Sequence, residues 1–171
     1  MKPIKSLLLI VAVFSIFSAG VGGLRAEEGD PAALAAALKN TKVTLQQGLK
    51  ASQRQGKPIS AKFEIEKGQL QLSVYTQKGK EFFEVIVDPK TGAVAKAEKI
   101  SDAGDYKEAT EQSAAMAKAK VSLLAAADTA AKANPGSRAV GITPELKDGH
   151  PTAEVNLLQG TTFKKVAAKL D

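Results

Sequence analysis

The hydrophobic positions of this chain follow two periods in turn. Leu34, Leu38, Leu45 and Leu49 recur at spacings of four, seven and four, which lays one apolar stripe along a helix. Asp30 is placed to cap that helix, Pro31 suits its first position, and Gly56 ahead of Lys57-Pro58 ends it. From Ile59 onward the period drops to two. With Lys67-Gly68 and Lys78-Gly79 as two-residue hairpin loops, Ile65 faces Leu70, Phe63 faces Leu72 and Ala61 faces Val74. In the next pairing Val74 faces Phe83, Leu72 faces Val85 and Leu70 faces Val87. One sheet face is then wholly apolar, and the other carries Lys62, Glu64, Gln71, Ser73 and Glu84. A slip of one residue would mix the two sets, so the pattern fixes the register.

The same order returns later in the chain. Shifted by 81 residues without gaps, Glu64 falls on Glu145, Gly68 on Gly149, Val74 on Val155, Gly79 on Gly160, Phe82 on Phe163 and Val85 on Val166. A second helix is expected from about Tyr106 to Ala133, with Met116, Leu123, Ala127 and Ala130 on one face and Asn134-Pro135-Gly136 as the stop. Hairpins at Asp148-Gly149 and Gln159-Gly160 follow. In that register Lys164 falls on the core face and Phe163 points away, unless a bulge near Thr161-Thr162 turns it inward. The expected fold is α+β: two tandem modules, each a helix packed on one face of a small antiparallel sheet of three to four strands. The modules run over 27–100 and 109–171 with a linker at 101–108, and the second stops before any counterpart of the last strand of the first.

Residues 1–26 stand apart from this scheme. Lys2 and Lys5 precede an apolar run from Leu7 to Phe17, and a small, flexible stretch leads to Ala26. This is the pattern of a secretory signal peptide cleaved after Ala26, and the apolar run is too short for a stable membrane span. Export to the periplasm or the medium is therefore expected. Cleavage would remove Lys2, Lys5 and Arg25 and no acid, taking the formal charge from +6 to +3, three below the precursor value. A surplus that small, without a Lys/Arg run, speaks against nucleic acid as a partner. The chain has no cysteine, so neither disulfides nor a lipidated cysteine contribute.

Candidate chemistry is sparse. Asp88-Pro-Lys-Thr-Gly92 differs from the phosphorylated Asp-Lys-Thr-Gly of transport ATPases by the intervening Pro89, and no second acidic motif accompanies it. Each of its residues suits a turn instead. His150, the single histidine, lies at a hairpin tip, and no cysteine or second histidine is present to complete a zinc or copper site. Asp102, Asp105 and Glu108 lack the pattern of a calcium loop and read as a helix entry. Gly56-Lys57 has no phosphate-cradling loop ahead of it. No catalytic residue, metal site or cofactor is expected, and the protein reads as a non-enzyme.

What remains is surface. Tyr75 and Phe82 are expected to pair across a hairpin on the face away from the core, with Ile86 on the same side. They either cover the junction between the copies as an ordinary aromatic pair, or form a partner-binding patch. An unpaired sheet edge in the second copy is a further candidate, open to strand addition or closed by the first copy.

Phe83-Glu-Val-Ile-Val-Asp88-Pro-Lys-Thr-Gly92-Ala-Val94, following a helix and β-hairpins, resembles the PepSY domain family, whose most regular feature is a short strand running into Asp-x-x-Thr-Gly and a further strand. The second copy resembles it from Leu123 to Asp171 without the closing turn. The family occurs in propeptides of secreted peptidases and in envelope proteins. The resemblance implies a non-enzymatic protein that binds a partner, with a secreted or envelope peptidase restrained in trans as the leading case. The alternative is a periplasmic small-ligand-binding module or a structural component of the cell envelope.

Overall fold

The computed structural model describes residues 30–171; the expected signal peptide and its cleavage point lie outside the described residues. Four helices and seven strands follow in the order α1 (Pro31–Leu38), α2 (Leu45–Ser52), β1 (Lys57–Glu66), β2 (Gln69–Lys78), β3 (Glu81–Val87), β4 (Val94–Lys99), α3 (Ala103–Lys118), α4 (Leu123–Ala133), β5 (Arg138–Lys147), β6 (His150–Gln159) and β7 (Thr162–Lys169). The strands form one antiparallel sheet in the order β4-β3-β2-β1-β5-β6-β7.

This corrects the expectation of two modules with a sheet each. The two sets of strands are joined edge to edge where β1 pairs with β5, through Ala61 with Ile142 and Lys62 with Gly141. Ala61 and Ile142 are also the residues that the 81-residue shift superimposes. Equivalent residues facing each other across an antiparallel pair define a local twofold axis normal to the sheet. Such an axis maps each sheet face onto itself, so both apolar faces point the same way and share one core. Ile59, Leu72, Val74, Val85 and Val87 from the first half lie in one cluster with Ile142, Val155, Leu157 and Leu170 from the second, all fully buried. Equivalent bulges, at 58–60 in β1 and 139–141 in β5, obey the same symmetry.

Register follows the hydrophobic pattern, with one correction. β1 pairs with β2 as expected, including Ile65 with Leu70 and Phe63 with Leu72. β2 and β3 are shifted by two: Val74 faces Val85 and Leu72 faces Val87. The loop is Gly79-Lys80, with glycine first at φ 65°, whereas Lys67-Gly68 has both residues at positive φ. A glycine-first loop needs a different backbone from a glycine-second one, which moves the hairpin along by one position. A shift of two keeps every side chain on its face, so the apolar surface survives the error. Likewise β6–β7 turns at Gly160-Thr161 without a bulge: Phe163 stays beside Leu158, and Lys164 sits beside Leu157 and bonds Asn134 Oδ1 at 2.8 Å.

Each expected long helix is broken. The first divides at residues 39–44, where Thr44 starts α2 with a reciprocal capping box to Gln47. The second divides at 119–122, where Ser122 caps α4. Residues 103–108, read as linker, are the first turns of α3, capped by Asp102. α2 packs on the apolar face; a Cβ placed on Gly48 would stand 2.5 Å from Leu72 Cδ2. α3 crosses the opposite face. Its Tyr106 meets Phe82, its Ser113 bonds Gln77 and its Gln112 bonds Ser60, all sheet residues in rows shared with Tyr75 and Lys57.

Candidate functional site

The three surface residues singled out from the sequence do share the face opposite Leu72 and Val74, but not in the expected arrangement. Tyr75 faces Glu84, Phe82 faces Gln77, and Ile86 lies between Ser73 and Lys96. Tyr75 and Phe82 are therefore diagonal neighbours rather than a direct pair, a consequence of the two-residue shift in β3. Phe82 is 5% exposed because Tyr106 of α3 packs against it edge-on, with ring centroids 5.2 Å apart at 74°. Ile86 and Tyr75 remain half-buried.

Beside them the chain builds a polar cleft of about 260 Å³ lined by Tyr75, Glu84, Glu98, Lys99, Ile100, Ser101, Asp102 and Asp105. β2 and β3 bring Tyr75 and Glu84 to its floor, and the entry into α3 brings Asp102 and Asp105 to its wall. The Tyr75 hydroxyl donates to Glu84 Oε1 at 3.5 Å. Burial, then the charges of Glu84, Glu64, Asp105 and Glu108, hold the Tyr75 phenol far above its ordinary value, so it stays a neutral donor. Burial also pushes the Glu84 carboxyl up; nearby Glu64 and Asp105 add to the shift, while Ser73 and Lys62 oppose it. The cleft offers hydrogen bonds and negative charge from its carboxylates. Among the described residues no cluster of His, Cys, Asp or Glu is placed to hold a metal.

The Asp88–Gly92 turn is a backbone device. Asp88 Oδ1 accepts from Lys90 N at 2.7 Å and Thr91 N at 2.8 Å, and Gly92 at φ 75° donates back to Asp88 O. Those two backbone N–H groups hold the Asp88 carboxyl below its ordinary range. The turn also docks on the α1–α2 junction, with Thr41 Oγ1 donating to Pro89 O and Val43 beside Gly92. The other half repeats the contact: Leu170, the counterpart of Pro89, accepts from Lys120 N and Val121 N at the α3–α4 junction. His150 Nδ1 lies 3.1 Å from Asp171 Oδ2 at the exposed end of that half.

Two residues that the sequence reading passed over tie the halves together. Arg138, half-buried at the start of β5, donates to the carbonyls of Leu38, Thr41 and Val43 and lies over the Phe63 ring. Lys57, at the start of β1, donates to Met116 O at 3.0 Å near the end of α3. The 81-residue shift superimposes Lys57 on Arg138, so each half caps a helix of the other with the same cationic position. That coincidence was available in the sequence as a conserved sign at matched positions within the repeat.

Residues 32–98 match the family model PepSY, "Peptidase propeptide and YPEB domain". The match runs from α1 into β4 and includes the Asp-Pro-Lys-Thr-Gly turn. No curated protein sequence matches the chain. Among solved structures, a protein described as a presumptive lipoprotein from Clostridium difficile 630 aligns at 12% identity with a TM-score of 0.41, covering 77% of this chain and 89% of that one. No helix among the described residues is long and apolar enough to cross a membrane.

Proposed function

We propose that this is an exported, non-enzymatic protein that binds a protein partner, and that the partner is a secreted or envelope peptidase held or restrained in trans. The observation that carries this reading is the PepSY match over residues 32–98, whose family description is that of a peptidase propeptide. The site geometry agrees with it. The PepSY-matching segment presents turns and a half-buried aromatic, and together with the entry into α3 it forms an acidic cleft, features suited to contact with a partner. Tyr75 and Ile86 supply the apolar part of the proposed contact, and Phe82 supports them from beneath Tyr106.

The experiment is affinity capture with the protein from its own cell envelope, followed by assay of any recovered peptidase. The expected result is a peptidase whose retention falls when Tyr75 and Ile86 are both changed to alanine. Capture that recovers no peptidase, with envelope proteolysis unaltered by loss of the protein, overturns the reading.

A further inference from the structure

The near-symmetry of the sheet breaks at its two ends. In the first half β4 covers the outer edge of β3, and Lys99 reaches Glu81 across that pair at 2.6 Å. The equivalent place in the second half is the outer edge of β7, where no strand pairs among the described residues. Half of the amides of such a strand turn away from its single neighbour and are available to another chain.

The two edges differ in sign. β3 carries Glu81 and Glu84, and the 81-residue shift places Thr162 and Lys165 at those positions, Lys164 at Phe83 and Lys169 at Asp88. Lys164, Lys165 and Lys169 are all exposed on β7. Lys165 is engaged with Glu154 on the inner neighbour at 2.9 Å, and Lys164 reaches Asn134. A second copy added edge to edge would set this basic strand against itself, which like-charge pairing across strands disfavours. A strand bearing carboxylates where β4 bears lysines is the complement.

We propose that the outer edge of β7 takes an extended, acidic segment of a partner protein as an eighth strand, in the place that β4 holds beside β3. Main-chain hydrogen bonds would supply the register and affinity, and the three lysines the choice of partner. The inference rests on the reading of the protein as a binding module, and it names the chemistry of what is bound.

The test is amide hydrogen exchange on the full chain with two probe peptides. One is the chain's own 92–101 segment, which contains β4, and the other is the same peptide carrying K96E and K99E. The expected result is that the acidic probe abolishes fast exchange in β7 at concentrations where the unaltered peptide leaves it fast. That protection should vanish in the K164E/K165E chain. Unchanged exchange in β7 with the acidic probe overturns the proposal. So does protection already present in the chain alone, whether lost on dilution (a second copy on the edge) or kept at every dilution (a segment of the same chain on it). None of these outcomes bears on peptidase capture, so the broader reading stands or falls separately.

Discussion

Asp88 illustrates how much a single residue can reveal when its partners are local. Its carboxylate is committed to Lys90 N and Thr91 N, two and three residues ahead, and so the turn could be read from Asp88-Pro-Lys-Thr-Gly92 alone. The pH dependence follows from the same bonds. Because the folded carboxyl titrates below its ordinary value of 3.8, its contribution is complete above that value and is lost as pH falls through the lower folded value. In Asp88→Asn the turn acceptor remains but the titration does not. Urea midpoints of the two proteins should therefore converge as pH is lowered through the acid range, with the native chain more stable near neutrality. A gap independent of pH would contradict this account of the turn. Tyr75 and Phe82 were less legible, since their positions depended on a loop whose glycine could stand first or second.

Elements were legible where their signals were short-range. The apolar rows of the hairpins set the β1–β2 register residue by residue. The helix breaks were written in the sequence as well, in the Thr44–Gln47 capping box and in Ser122, but leucine spacings that ran across the gap concealed them. The route of α3 over the opposite face could not be read, because its contacts with Ser60, Gln77 and Phe82 span 24 to 52 residues of sequence. Arg138 belongs to the same class: it reaches back 95 to 100 residues to cap the α1–α2 junction. Arg138→Ala leaves three carbonyls without their charged donor and should cost roughly 2–3 kcal/mol of stability, with Arg138→Lys recovering part of it. Chemical denaturation of the three proteins measures this directly. An Arg138→Ala chain as stable as the native one would show that the link between the halves is incidental.

At the scale of the whole molecule, the repeat was visible but its consequence was not. An 81-residue shift identifies equivalent residues; it does not say that Ala61 and Ile142 will meet on a twofold axis and merge two sheets into one. The merger buries what separate modules would expose, since β1 gains a neighbour along its free edge, and Phe82 of the first half is covered by Tyr106 of the second. The PepSY segment is thus stabilised by the half that follows it. The full chain should unfold in one cooperative transition with coincident secondary- and tertiary-structure probes, whereas a chain ending at Ile100 should lack such a transition. Two separate transitions in the full chain would restore the picture of independent modules. The proposed binding belongs to this scale too, because the same assembly sets an acidic cleft beside Tyr75 and, among the described residues, leaves the basic strand β7 without an outer neighbour. The most direct test of the central claim is the rate of the envelope peptidase recovered by capture, measured against increasing amounts of the chain. Restraint in trans predicts a rate that falls and levels off as the two proteins reach equal amounts. A rate that stays constant over that range would contradict it.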